Sequence, residues 1–429
     1  MTGKQRVGSL GAHVSFSAMS VQVTSEIGRL GAVLVHPPGA ELYAVTPSTR
    51  ADYLYDDIID VVAAQREHRR FVALLERFAE VYHVRDLLAE VLADTAVRDR
   101  LMREMLDVVP ALPLARELRE MPPDDLVRVL VEGMEDIPGP LTRALNEAGY
   151  LLPPLPNLFF TRDVAMAIND KVMIGSMRYS VRWSEALAMK AIFRYNPRVT
   201  NRGIVYDGSL EHRMNYTLEG GDVHPLRRDA IVIGFSERSS PAAIDHLAAV
   251  LFAGTEITDI IVIVMPGEEI AIHLDMIFTQ VDRELCVISP RHFIGPGRLP
   301  ILHWRKGASD MREMDSVFDA LAACDLPMEP ILCGGDNRRT QEREQWSSGC
   351  NFFAVRPGVV LSYARNYATI QEMEKTGFRV MAASAFLGGE QTLADDERGV
   401  ITFDGGELVR GGGGPRCMTC PITREDPWS

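Results

Sequence analysis

DVAMAINDKVMIGSM, running from Asp163 to Met177, decides the fold. Two apolar runs of strand length meet at Asn169-Asp170, a pair that breaks strands and makes hairpin turns. The arrangement recurs as Asp222-VHPLRR-Asp229-AIVIGF, Asp275-MIFTQV-Asp282-RELCVIS and Asn351-FFAVRP-Gly358-VVLSYARN. Each copy opens on Asp or Asn and turns near the seventh residue on, at Arg-Asp, Asp-Arg or Pro-Gly in the later three. A weaker fifth copy is RLGAVLVHPPG, Arg29 to Gly39, whose turn is followed by different material. Helical stretches such as PAAIDHLAAVLFAG (Pro241 to Gly254) and MDSVFDALAACD (Met314 to Asp325) lie between copies. A tandem hairpin-plus-helix unit of this size points to an α/β fold built as a closed array, with equivalent strand ends converging on one axis.

The segment from Asp57 to Glu147 breaks the pattern. Apolar residues recur there at helical spacing, as in Phe71, Leu74, Leu75 and Phe78 or Leu126, Val129, Leu130 and Met134. Pro122-Pro123-Asp124 marks a helix start. The expected organisation is a disordered tail over 1–20, a catalytic body over 21–56 and 149–429, and an inserted helical subdomain over 57–148.

Composition bounds the partners. The chain has 429 residues, 46% hydrophobic and 24% charged, with a net charge of -14. That balance argues against nucleic acid or an anionic membrane surface, both of which need a basic face. No apolar run is long enough to span a bilayer and the first eighteen residues lack a signal peptide's apolar core, so a cytoplasmic location is expected. Six cysteines in so long a chain do not make a disulfide framework. Cys417 and Cys420 form a C-x-x-C, but it follows a glycine run at the chain end rather than opening a helix, and no second ligand pair for zinc accompanies it.

The chemistry-bearing residues gather at the entries to the repeats: FTRD (Phe160 to Asp163), EGGD (Glu219 to Asp222) and HLD (His273 to Asp275). With Cys417 they supply a thiol nucleophile, a proton shuttle and several carboxylates. Paired carboxylates grip a planar, cationic guanidinium by charge-assisted hydrogen bonds. His273 and Asp275 stand two apart, so on a strand both project to one side. A thiol is mostly protonated at neutral pH, so a working nucleophile needs a cationic neighbour, for which Arg416, His273 and the substrate are candidates.

Together, and in this order, FTRD, EGGD, HLD and GGGGPRCMTCP (Gly411 to Pro421) resemble the arginine deiminase family of guanidino-group-modifying enzymes. GRLGAVLVHPPGAEL, PNLFFTRD, GGDNRRTQEREQW and PGVVLSYARN extend the resemblance from about Val23 to Arg424. The resemblance implies a five-bladed α/β propeller, the pentein fold, of ββαβ units with an inserted helical bundle. It also implies a hydrolase of a linear amidine C–N bond, converting L-arginine to L-citrulline and ammonia without metal or cofactor, in a homodimer or higher homo-oligomer.

Carried over position by position, Cys417 resembles the nucleophile, and His273 the acid and then the base. Glu219 resembles the carboxylate that orients His273 and keeps it protonated, and Asp163 and Asp275 the two that hold the guanidinium. Asn157, Phe160, Arg182 and Arg238 match substrate-binding positions. Both arginines are expected to face the α-carboxylate, so that a substrate lacking it would leave them unpaired, at a cost of roughly 3–5 kcal/mol. Some members of the family carry an arginine where this chain has Gly412, and Arg410 is the candidate substitute. An arginine dihydrolase, a deiminase or amidinotransferase for another guanidine, and a non-catalytic arginine-binding paralogue are the alternatives.

Overall fold

A computed structural model describes residues 18–109, 115–135, 139–145, 149–211, 216–265, 267 and 271–429. Residues 1–17 of the expected tail lie outside that set. Met19–Ser20, expected within the tail, instead pairs in parallel with Val199–Thr200.

All four hairpins form where the turns place them. Ala165–Ile168 runs antiparallel to Lys171–Ile174, and Val223–Arg227 to Ala230–Phe235. Phe278–Asp282 pairs likewise with Leu285–Ile288, and Phe353–Arg356 with Val359–Tyr363. Each connection contains a helix and leads to a strand parallel to the hairpin's second: Ile204–Asp207, Asp259–Val264, Glu329–Leu332 and Gly399–Phe403. In the third unit the chain first adds Ile301–Arg305 to the preceding sheet, and in the fourth it first lays down Arg379–Ala382. Parallel neighbours need such a crossover, since a tight turn can only reverse the chain.

The weak fifth copy completes the same unit in a way local sequence does not reveal. Leu30–Val35 finds its antiparallel partner in Cys420–Arg424, from the opposite end of the chain. Its parallel neighbour is Glu80–His83, reached through the helix Val61–Leu75. That helix and strand were expected inside the helical insert. They belong to this sheet because Phe71, Leu74 and Leu75 pack with Val33, Val35 and Phe403 rather than with the following helices.

The remaining helices of the insert, Val84–Leu92, Thr95–Val108, Ala115–Glu120, Pro123–Glu132 and Pro140–Leu145, follow from their caps and stripes. Asp94 accepts from the N–H groups of Ala96 and Val97, and Pro123 takes the first helical position, where its missing N–H costs nothing. Leu126, Val129 and Leu130 turn inward to a core shared with Leu187, Ala191 and Ile192 of the helix Trp183–Tyr195.

Sheet and helix lock together by complementary periods. In the helix Pro241–Gly254, Ile244, Leu247, Ala248 and Leu251 form one apolar stripe. It packs on Ile231, Ile233, Ile260 and Val262. Each such aliphatic side chain stabilises by about 1.5–3 kcal/mol when fully buried. The sheets are thereby rigid supports for the turns that enter them.

Candidate active site

Those entry turns carry the chemistry. Asp163 lies on the one-turn helix Thr161–Val164, Glu219 caps the 3-10 turn Gly220–Asp222, and His273 caps the 3-10 turn Leu274–Met276 that holds Asp275. His273 and Asp275 are thus on a tight turn rather than on the strand expected for them. Cys417 lies three residues before the strand Cys420–Arg424 and is 4% exposed. One small cavity, about 30 Å³, is lined by Asn157, Phe160, Asp163, Arg182, Arg238, His273 and Cys417, with Gly411, Gly412 and Gly413 of the glycine loop.

His273 sits between two acids. Its Nε2 is 2.8 Å from Glu219 Oε2 and its Nδ1 is 3.8 Å from Asp163 Oδ1. Burial alone would lower the imidazole pKa, but Asp163 and the Glu219 hydrogen bond outweigh it and raise it to about 9. Glu219 is lowered to about 2 against its own burial, by Arg238, His273 and Arg182. Glu219 Oε1 accepts the Arg178 backbone N–H at 2.9 Å, which fixes the carboxylate plane. Gly221 is required beneath the ring, because a Cβ there would come within 2.6 Å of the imidazole.

The sulfur environment is acidic. Cys417 Sγ lies 3.5 Å from Asp275 Oδ2 and 3.1 Å from Asn351 Nδ2. Burial pushes the thiol well above its usual pKa; Asp275 and Asp163 add to that, while the Gly414 backbone and Arg416 oppose it. Cys420 is a strand residue, with its thiol 3.2 Å from the Ala165 carbonyl and pushed up to about 12 by burial.

A buried ionic lattice aims the carboxylates. Arg416 donates to Asp275 Oδ2 at 2.9 Å and to both oxygens of Glu26, which also accepts from Arg162 at 3.0 Å. Asp222, which opens the second repeat, accepts from Leu274 N, Ser236 Oγ and Ser239 Oγ and so pins the turn between His273 and Asp275. Such buried ion pairs contribute position more than net stability. Oδ1 of Asp163 and Oδ1 of Asp275 are each buried without a hydrogen-bond partner. An unmatched buried acceptor of this kind is costly, and a multi-donor cation satisfies it.

Arg182 and Arg238 line the cavity, but both already have carboxylate partners. Arg182 donates to Asp163 Oδ2 at 2.7 Å and Glu185 Oε2 at 2.9 Å, and Arg238 approaches Glu219 at 3.5 Å and Glu237 at 3.3 Å. Asn157 and Phe160 stand at the cavity wall, where Asn157 donates to the Tyr53 carbonyl. Arg410 is not brought in. It pairs with Asp57 and Glu407 and lines a separate open cleft of about 800 Å³ on the outer side of the loop. Gly412 has φ +84, a left-handed conformation in which an arginine at this position would be strained. Sequence reasoning did not single out Glu26, Arg162, Glu185 or Asn351 for the site. Asn351 had a signal as the head of the fourth repeat, and Arg162 stood within FTRD.

The family model for arginine deiminase matches residues 51–424. The arginine deiminase of Pediococcus pentosaceus is 32% identical over 428 residues, covering 95% of this chain and 100% of the relative. That of Bacillus thuringiensis subsp. konkukian is 33% identical over 429 residues, covering 95% and 99%. Among solved structures, SxtG, an amidinotransferase from Microseira wollei, superposes with a TM-score of 0.52 at 13% identity, covering 94% of this chain and 97% of that one. An AgrE mutant in complex with L-arginine gives a TM-score of 0.52 at 14% identity, covering 92% of this chain and 40% of that one. The distant structures establish a shared α/β fold, and the near full-length sequence matches establish kinship: the chain belongs to the arginine deiminase family.

Proposed function

We propose that the protein hydrolyses L-arginine to L-citrulline and ammonia at Cys417, within a five-bladed propeller whose helical insert spans about residues 84–152. The observation that carries this reading is the pair of buried oxygens without a hydrogen bond, Asp163 Oδ1 and Asp275 Oδ1, in a site that also holds the Cys417 thiol and a protonated His273. A guanidinium offers N–H donors in one plane, suited to both oxygens at once. Burial and the two aspartates keep the Cys417 thiol protonated, and the substrate's charge would offset the aspartates, so substrate binding itself favours the thiolate.

In this mechanism Cys417 gives its proton to solvent as the guanidinium binds, and the thiolate attacks the guanidinium carbon. The carbon–nitrogen bond then breaks, and the leaving nitrogen takes its proton from His273 and departs as ammonia. His273, now neutral, removes a proton from water as its oxygen attacks the thiouronium carbon. The carbon–sulfur bond breaks, its electrons return to Sγ, the hydroxyl proton of the intermediate follows to the sulfur, and citrulline is released with His273 again protonated. Asp163, Glu219 and Asp275 hold these charges in place. Arg182, Arg238, Asn157 and Phe160 shape the amino-acid end. No step calls on a metal or cofactor. On the same reading the enzyme works in the cytoplasm as a homodimer or higher homo-oligomer, which cell fractionation and light scattering test.

The deciding experiment incubates the protein with L-arginine and quantifies citrulline, ornithine and ammonia, with Cys417→Ala and Cys420→Ala alongside. Equal citrulline and ammonia, lost only in Cys417→Ala, with a thiouronium mass on Cys417 after rapid quenching, is the expected result. Ornithine with two equivalents of ammonia would move the reading to a dihydrolase. Activity surviving in Cys417→Ala would overturn the nucleophile.

A further inference from the structure

Asn351 heads the fourth repeat, where the other three hairpins carry Asp163, Asp222 and Asp275. It is 1% exposed and grips the cysteine turn at both ends of its amide. Oδ1 accepts from the backbone N–H of Arg416 at 2.9 Å and of Cys417 at 3.3 Å. Nδ2 donates to the Asp275 carbonyl at 3.2 Å and to Cys417 Sγ at 3.1 Å. These partners settle the orientation of the amide. Its oxygen faces two N–H donors and its nitrogen faces a carbonyl, so the sulfur meets an N–H.

Charge explains why this copy of the repeat is an amide. Sγ already lies 3.5 Å from Asp275 Oδ2. An aspartate at 351 would fit the same space and set a further anion against the sulfur, whereas the amide supplies a donor. Sulfur bears negative charge twice in the proposed cycle: before it bonds to the guanidinium carbon, and again when the carbon–sulfur bond breaks and the electron pair returns to it.

We propose that Asn351 is a catalytic residue, whose Nδ2–H donates to Cys417 Sγ and stabilises the thiolate both before attack and as the leaving group of the second half-reaction. This rests on Cys417 being the nucleophile.

The test uses the full-length enzyme as Asn351→Asp and Asn351→Ala. The rate of Cys417 alkylation by iodoacetamide is followed against pH, with mass spectrometry locating the label, and kcat and KM for L-arginine are measured in parallel. A hydrogen bond to a charged group predicts a kcat lower by about 10- to 100-fold with KM changed by less than about threefold. The alkylation midpoint should rise by about one pH unit or more, further in Asn351→Asp than in Asn351→Ala. An unmoved midpoint, or a raised KM with kcat intact, would overturn the proposal in favour of a purely structural amide. So would loss of the native thermal transition in both variants, since holding the Arg416–Cys417 turn would then be the amide's work. Activity in Cys417→Ala would instead refute the underlying reading and is scored separately.

Discussion

Replacing Glu219 by Gln should move the alkaline limit of activity. Glu219 Oε2 meets His273 Nε2 at 2.8 Å, and Oε1 holds the Arg178 N–H, a bond that the Gln oxygen keeps. The site raises His273 from 6.5 to about 9, with Asp163, the Glu219 hydrogen bond and Asp222 overcoming burial. That net shift corresponds to about 3 kcal/mol, shared among the three acids. If Glu219 supplies about 1.5 of the pKa units, the substituted enzyme keeps its imidazolium only to about pH 7.5. At pH 6.5 both enzymes are then largely protonated, whereas at pH 8.5 the protonated fraction is roughly eightfold lower in the variant. The ratio of kcat/KM between the two enzymes should therefore fall about eightfold between those pH values, because kcat/KM reports the free enzyme. Stability carries the same signature. A folded-state pKa raised from 6.5 gives His273 a contribution that is full below 6.5 and lost as pH rises through about 9. Glu219, lowered from 4.5 to about 2, contributes above 4.5 and loses that contribution as pH falls through 2. Glu219→Gln should thus lower Tm most between pH 4.5 and 6.5, and progressively less as pH rises through about 9. A pH–kcat/KM profile that drops uniformly, with its alkaline limb unmoved, would refute the view that Glu219 sets the charge of His273.

L-arginine should be preferred over agmatine by about 5- to 150-fold in kcat/KM, the range of about 1–3 kcal/mol for a lost charged contact. This is less than two buried arginines stripped of any partner would give, since Arg182 keeps Asp163 and Glu185 while Arg238 keeps Glu219 and Glu237. Equal efficiencies would remove both arginines from substrate recognition. Gly221→Ala should lower kcat by about tenfold or more and lower Tm as well, because the added Cβ falls within 2.6 Å of the buried His273 ring. Unaltered turnover in that variant would show that the ring is free to move.

Local sequence determined the hairpins. Asn169-Asp170, Arg228-Asp229, Asp282-Arg283 and Pro357-Gly358 are turn pairs flanked by apolar runs, and such signals act over a few residues. The same short range made FTRD, EGGD and HLD legible as strand entries, and the stripe of Leu126, Val129 and Leu130 legible as helix. Distance along the chain is what hid the rest. Leu30–Val35 reads as an unfinished hairpin until Cys420–Arg424 returns from the far end, and no local signal names that partner. Glu80–His83 was assigned to the insert for the same reason, since strand pairing is decided across the sheet and not along the chain.

Charge was the other blind spot. Arg182, Arg238 and Arg410 are alike in sequence. The first two point into the cavity with acidic partners and the third turns outward to Asp57. A guanidinium takes whichever carboxylate the folded chain brings within reach, so its role is set by tertiary neighbours. Residue types and their order along the chain were enough to determine that Cys417, His273 and three acids belong together. Only the tertiary structure decided that Asp163 and Asp275 each keep one buried oxygen without a hydrogen bond, because Arg182 and the Glu26-held Arg416, from distant segments, take up the others.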